Sequence, residues 1–204
     1  MKKRIVLASD NPGKIDEISR MLATSSIEIV AQSEFNIGSA VEDKPPFIEN
    51  ALIKARHATA NCGLPAIADD SGLEVDVLGG EPGVISSRYS GPDANDEKNI
   101  KKLLGKLEGV EGTDRSCRFR CTMVYLRHEF DPAPVIAQGT LDGVIHYKTQ
   151  GAFGFGYDPV VWLQDRQCTL AELPPEEKNE ISHRGKALRN LVEKLMHLVE
   201  TDVT

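Results

Sequence analysis

The run from Ala66 to Leu73 places two adjacent carboxylates, a hydroxyl and a glycine directly after an apolar stretch. Leu64 to Ala68 has the composition of a buried strand, and we expect Asp69-Asp70 to form the turn that ends it. Adjacent acids at the end of a buried strand cost stability unless a cation, hydrogen bonds or solvent compensate them. The pair therefore predicts a metal site with compensating groups nearby, or else an exposed turn, in which Asp and Ser are common.

Composition places this chain among soluble globular proteins. It has 204 residues, of which 40% are hydrophobic and 27% are charged, enough for a substantial core in one domain or two joined lobes. No segment approaches the ~20 apolar residues of a membrane span, and Ile5 to Ala8 is too short for a signal peptide core. The net charge of −7 argues against nucleic-acid binding. We expect a cytoplasmic protein without membrane contact, whose four cysteines are thiols, with Cys117 and Cys121 in the core.

The amino-terminal segment reads as strand, polar loop and helix. Ile5 to Ala8 predicts the strand, Ser9 to Lys14 the loop, and the helix carries on one face Ile15, Ile18 and Leu22. A helix N-terminus offers unpaired amides and partial positive charge, to which Lys14 adds a full charge, so this geometry can bind phosphate. The loop lacks the G-x-x-x-x-G-K spacing, and an ordinary capped connection explains it equally well.

A second helix is predicted from about Phe47 to Cys62, with Gly63 as its stop. Asn50 and Lys54 share one face of this helix, so they can point together at a ligand. A solvated polar face is the alternative.

The remaining elements alternate between strands and helices, without repeats or a linker. This order indicates an α/β protein with one domain spanning residues 1–204. The further predicted elements are a strand at Ile27 to Val30, a strand with Leu73, Val75 and Val77, a helix with Ile100, Leu103, Leu104 and Leu107, and strands at Cys117 to Leu126, Val135 to Ala137 and Gly143 to Tyr147.

Two carboxy-terminal segments carry candidate ligand-binding groups. Gly151 to Pro159 alternates aromatic residues with glycines, which fits a stacking face for a nucleobase or packed aromatics in a kinked strand. Ser182 is a candidate N-cap, which places His183 and Arg184 in the first turn of the last helix. Basic residues are unfavourable there, and this indicates an anionic or acceptor-rich ligand.

Six segments occur in one order with compatible spacing: SDNPGK, FIENALIKA, ADDSGLEVD, GGEPGVISSRYSG, FGFGYDP and EEKNEISHRGKAL. Together they resemble the inosine triphosphate pyrophosphatase family, from about Ile5 to Leu195. The resemblance implies an elongated mixed sheet flanked by helices, with two lobes and a central substrate cleft, in a homodimer. It also implies magnesium-dependent cleavage between the α and β phosphates.

The resemblance assigns site residues as well. Asp70 corresponds to the metal-binding and proton-accepting aspartate, and Lys54 to the lysine that neutralises phosphate charge. Glu42 is the second candidate metal carboxylate, with Asp43 and water as alternatives. Asp69 can take whichever task Asp70 does not, metal binding or proton acceptance. The implied substrate-binding residues are Ser9, Asp10, Asn11, Pro12, Gly13, Lys14, Ser71, Phe155, Gly156, Tyr157, Asp158, Lys178, His183 and Arg184.

These residue types suit hydrolysis of a purine triphosphate. Attack by water on the α phosphorus requires neutralised phosphate charge, which magnesium, Lys14 and Lys54 can supply. Donors on His183 and Arg184 match the 6-oxo group of hypoxanthine or xanthine and oppose the 6-amino group of adenine. We therefore expect ITP, dITP and XTP to be converted to the monophosphate and pyrophosphate, which removes them from the nucleotide pool. The alternatives are a pyrophosphatase of other modified or pyrimidine triphosphates and a non-catalytic nucleotide-binding module.

Overall fold

The computed structural model describes residues 3–23, 27–38, 40 and 46–201, with side chains described up to residue 196. The strands in these ranges are β1 Lys3–Leu7, β2 Ile27–Ala31, β3 Ala66–Val75, β4 Ser116–Leu126, β5 Val135–Ile145, β6 Val161–Leu163 and β7 Cys168–Thr169. The α-helices in them are α1 Pro12–Leu22, α2 Phe47–Cys62, α3 Asp96–Lys106, α4 Pro175–Ile181 and α5 His183–Thr201.

The described strands form one sheet in the order β2-β1-β3-β4-β5-β6-β7. β1 pairs parallel with β2 and β3, whereas β6 pairs antiparallel with β5 and β7. The sheet is therefore mixed and flanked by helices, which confirms the predicted fold class. None of the described helices combines the length and apolar character needed to cross a membrane.

The chain divides into two compact units. Unit 1 comprises Met1–Asp70, Cys121–Gly139 and Arg184–Thr204, and unit 2 comprises Ser71–Arg120 and Thr140–His183. Unit 2 has one apolar core, to which β3, α3 and β4 contribute side chains.

Unit 1 has two apolar cores, one on each face of its part of the sheet. Ile67 of β3 packs in the core formed with α1 and α5, whereas Ala66 and Ala68 pack in the core formed with α2. Because neighbouring residues of a strand point to opposite faces, α1 and α5 cover one face and α2 covers the other. The alanines of α2 that face this core are fully buried: Ala51, Ala55 and Ala58.

The predicted turn at Asp69-Asp70 is wrong, because β3 continues through both residues to Val75. Cations and amide donors in unit 1 compensate the carboxylates, so the strand need not end there. The glycine that follows reflects close packing, since a Cβ on Gly72 would lie 2.2 Å from the carbonyl oxygen of Gly83. Val77, predicted to continue this strand, instead lies 49% exposed in a 3-10 turn.

Three further elements differ from the prediction: β5, α1 and α4. The segments around Val135 and Gly143 form the single strand β5, and Gly143 lies inside it because a Cβ there would meet Val161 Cγ1 at 2.9 Å. Helix α1 begins at Pro12, so the predicted loop is shorter than Ser9 to Lys14. Helix α4 was not predicted. The bounds predicted for α2 are confirmed, with Gly63 at φ 68° as its cap.

The cysteines confirm the expectation of packed thiols. All four are free, and Cys117 and Cys121 are buried on β4. Burial raises the pKa of Cys117 to about 12, so this thiol stays protonated near neutral pH.

Candidate active site

The two aspartates of β3 are both buried and belong to unit 1. Asp69 has no exposed surface and Asp70 is 6% exposed. By the alternation of the strand, Asp69 shares the face of Ile67 towards α1 and α5, and Asp70 shares the face of Ala68 towards α2. The neighbouring carboxylates therefore have different surroundings.

Cations from the first turns of two helices surround Asp69. Lys14 Nζ of α1 lies 2.9 Å from Asp69 Oδ2, and Arg184 Nε of α5 lies 3.5 Å from the same oxygen. The Cys121 thiol donates a long hydrogen bond to it at 3.9 Å. Burial by itself raises the pKa of Asp69, but the charges of Lys14, Arg184 and Lys54 outweigh burial and hold that pKa well below its usual range.

Arg184 is buried with a second carboxylate, that of Glu17 on α1. Arg184 Nη1 lies 2.5 Å from Glu17 Oε2. Burial lowers the pKa of Arg184, yet Asp69 and Glu17 raise it above its ordinary value, so this side chain remains a cation. The sequence interpretation missed Glu17. Its position three residues after Lys14 on α1 is the signal for it, because residues at i and i+3 share a helix face.

Asp70 contacts the two polar side chains that α2 presents to it. Asn50 Nδ2 donates to Asp70 Oδ2 at 3.0 Å, and Lys54 Nζ lies 3.5 Å from Asp70 Oδ1. Asn50 is 1% exposed. The expectation that Asn50 and Lys54 point the same way is confirmed, and the group they meet is the Asp70 carboxylate.

The N-terminus of α1 has a capped geometry. Asn11 is the N-cap, and its side chain accepts from the backbone N of Lys14 at 3.2 Å, while Ser9 Oγ accepts from the Asn11 N at 3.3 Å. Pro12, Gly13 and Lys14 form the first turn, so the prediction that they belong to a loop is corrected. The exposed Asp10 precedes this turn.

A second charged group is buried in unit 2. Lys178 Nζ of α4 donates to Asp158 Oδ2 at 2.8 Å and lies 4.7 Å from the centre of the Phe155 ring. The Phe155 N–H donates to the same carboxylate at 2.9 Å. Gly154 has φ +79°, and a Cβ there would lie 2.1 Å from Asp158 Oδ2. The glycine therefore lets the backbone approach the carboxylate.

Two predicted substrate-binding residues of unit 2 are engaged in packing. Tyr157 is 4% exposed, lies in the core and donates its hydroxyl to the Ser86 carbonyl at 2.8 Å, so its ring does not form an open stacking face. His183 is 4% exposed and stacks on Phe119, with ring centres 4.6 Å apart.

Ser71 is half-buried in β3. α5 begins at His183, directly after Ser182, as the capping pattern predicted.

Glu42, the predicted second metal carboxylate, and the alternative Asp43 lie outside the described residues. Within the described ranges, no three His, Cys, Asp or Glu side chains are grouped closely enough to hold a metal ion. Asp70 and the amide oxygen of Asn50 are nevertheless hard oxygen donors, the type that magnesium prefers. Magnesium commonly binds through one or two carboxylates together with water and substrate phosphates, so these residues fit the ion.

Comparison with known proteins identifies the family of this chain. Residues 5–194 match the model of the Ham1 family. A dITP/XTP pyrophosphatase of Photobacterium profundum is 52% identical over 188 residues, which cover 92% of this chain and 95% of that protein. A dITP/XTP pyrophosphatase of Escherichia coli O157:H7 is 51% identical over 193 residues, covering 95% and 98%.

A solved structure extends the similarity to the fold. The structure of a HAM1 protein from Coxiella burnetii matches with a TM-score of 0.89 at 46% identity, covering 96% of this chain and 99% of that one. These matches span nearly the whole chain and confirm the family assignment made from the six segments: the chain belongs to the Ham1 family.

Proposed function

We propose that this protein hydrolyses ITP, dITP and XTP to the nucleoside monophosphate and pyrophosphate, and so removes non-standard purines from the nucleotide pool. The observation that carries the proposal is the Asp70 carboxylate held between Asn50 and Lys54 in a chain whose relatives are named dITP/XTP pyrophosphatases. A carboxylate beside a lysine suits attack by water on a phosphate anhydride, because that step needs a proton acceptor and positive charge.

The first turn of α1 binds phosphate in this proposal. Its amides and the macrodipole favour an anion, and Lys14 adds a full charge. Asp69 holds Lys14 and Arg184 in place from a fully buried position. With its charge already matched by two cations, Asp69 acts as a positioning residue, which leaves proton acceptance to Asp70.

Magnesium is the proposed cofactor, with Asp70 and Glu42 as its carboxylate ligands. When bound, the ion supplies positive charge that neutralises phosphate oxygens and makes a nearby water more acidic. Lys54 contributes a second charge from α2, only 3.5 Å from Asp70 Oδ1, so it stabilises negative charge that develops on phosphate beside that carboxylate.

Base selection is assigned to unit 2 and to the first turn of α5. Phe155 supplies an apolar ring, Lys178 and His183 supply donors, and Arg184 follows His183 in the chain. Donors match a 6-oxo group and leave the 6-amino group of adenine unsatisfied, and such mismatches can reject a substrate by ~10⁴-fold.

We further propose a homodimer in the cytoplasm. The four free thiols are compatible with a reducing compartment, and sedimentation tests the dimer.

Product identification tests the proposal. The purified protein is incubated with ITP, dITP, XTP, ATP, GTP and modified pyrimidine triphosphates, with magnesium and after chelation. We expect monophosphate and pyrophosphate from the first three, loss of activity on chelation and its return with magnesium. Binding without turnover would identify a nucleotide-binding module, and faster turnover of the pyrimidines would identify the other pyrophosphatase activity. Release of inorganic phosphate as the main product would contradict the proposal.

A further inference from the structure

The glycine-rich segment Gly154–Asp158 is held by a carboxylate from a distant part of unit 2. Asp96 Oδ2 accepts a hydrogen bond from the Gly156 N–H at 2.7 Å, across sixty positions of sequence. Gly156 has φ +63°, in the left-handed region that glycine adopts readily but at a cost in conformational entropy. Asp96 is the first residue of α3 and is exposed.

This contact is not explained by helix capping. Asn95 is the N-cap of α3, and its Oδ1 accepts from the Lys98 N at 2.8 Å. The Asn95 side chain therefore serves as the cap acceptor, and the Asp96 carboxylate is directed at the glycine-rich segment instead.

Gly156 directly follows Phe155, which contacts both members of the buried Asp158–Lys178 pair. Immediately before it, the Phe155 N–H donates to Asp158, and the Phe155 ring lies against Lys178 Nζ. Asp158, which belongs to the segment, thus accepts from the Phe155 N–H, and Asp96 of α3 accepts from the next N–H, that of Gly156. Two carboxylates therefore hold two consecutive backbone amides of the segment that carries Phe155.

We propose that Asp96 is a positioning residue for nucleotide affinity, acting through the Gly156 amide on the segment that presents Phe155 and Asp158. This inference rests on the proposed function, in which that segment meets the base. Without this charge-assisted hydrogen bond the segment must be ordered when the nucleotide binds, and this cost raises KM while leaving the reacting groups, and therefore kcat, in place.

Three variants of the full chain test the proposal. Asp96→Ala removes the acceptor, Asp96→Asn keeps an amide oxygen as acceptor, and Glu97→Ala removes the next acid of the same helical turn. We expect Asp96→Ala to raise KM for ITP about fivefold with kcat within about twofold, Asp96→Asn to restore most of the affinity, and Glu97→Ala to behave as wild type. An equal rise in KM for Glu97→Ala would overturn the proposal, because the effect would then come from the negative charge at the start of α3. No rise for Asp96→Ala would also overturn it, because the hydrogen bond to Gly156 would then not affect nucleotide affinity.

Amide hydrogen exchange supplies a readout that does not depend on turnover. The Gly156 amide is expected to exchange at least about fivefold faster in Asp96→Ala than in wild type, while core amides of β4 keep their protection. An unchanged exchange rate of the Gly156 amide would overturn the positioning role of Asp96 even if KM changed. A wild-type chain that releases no pyrophosphate from ITP would overturn the proposed function instead, and the exchange result would still decide whether Asp96 holds the segment.

Discussion

Asp69 and Asp70 are consecutive residues of β3, yet their carboxylates face opposite sides of the sheet and contact different cations. Asp69 Oδ2 lies 2.9 Å from Lys14 Nζ, and Asp70 Oδ1 lies 3.5 Å from Lys54 Nζ. A cation on each face of the sheet therefore offsets the repulsion expected between adjacent acids. The two carboxylates therefore have different surroundings. The fully buried Asp69 contacts Lys14 and Arg184, and Asp70 contacts Asn50 and Lys54.

Asp70→Asn should lower kcat for ITP by at least about a hundredfold with little change in substrate affinity, because it removes the proposed proton acceptor and metal ligand but no proposed phosphate or base contact. Steady-state kinetics and equilibrium nucleotide binding measure the two effects. The exposed Asp165→Asn is the matched control. A loss confined to affinity would contradict the role given to Asp70.

Lys54→Ala should lower kcat/KM by about a hundredfold, because in the proposed mechanism its charge stabilises the transition state on the reacting phosphate. Arg56→Ala removes a cation from an exposed position of the same helix and should leave kinetics unchanged. Thermal unfolding of both variants is the second measurement. If Lys54→Ala were inactive only because it unfolds, the residue would be part of the fold and not of the site.

Gly154→Ala should raise KM for ITP and destabilise the protein, because its Cβ would lie 2.1 Å from Asp158 Oδ2 and 3.2 Å from Lys178 Nζ. Gly109 has the same φ of +79°, and a Cβ there would meet nothing within 4 Å, so Gly109→Ala separates backbone strain from the clash. The control should cost only about 1 kcal/mol of unfolding free energy and leave KM unchanged. Equal effects of the two substitutions would rule out a specific role for the buried pair.

Asp131→Asn should remove a stabilising contribution that depends on pH. Hydrogen bonds from the Arg127 side chain hold the pKa of Asp131 below its usual range, and the Arg127 and Ala133 amides add to this effect. The unfolded chain therefore takes up this proton at a higher pH than the folded protein, so the stabilisation is complete above about pH 4 and is lost as the pH falls further.

We expect Asp131→Asn to cost about 2 kcal/mol of unfolding free energy at pH 7, and this difference from wild type to shrink between about pH 4 and pH 2. Denaturant unfolding over that range measures it, with the exposed Asp93→Asn as control. A difference that stayed constant with pH would show that the effect of the substitution is not electrostatic.

Several elements were predictable because local sequence determines them. Helix α2 follows from its periodic alanines and the stop at Gly63, and its polar face correctly placed Asn50 and Lys54 together. The six ordered segments likewise identified the family before any geometry was known. In these cases, residues close in sequence supply most of the physical information.

The partners of the acids were decided only by tertiary structure. Local rules treat Asp-Asp as a turn, since nothing nearby in sequence offsets the two charges, and they place a strand end at Gly143. In the fold, Lys14 and Arg184 come from distant helices to neutralise Asp69, and Gly143 stays inside β5 because β6 packs against it. The sequence by itself determined the elements and the chemical groups of the site, whereas long-range packing and charge compensation determined where the strands end and which cation meets which carboxylate.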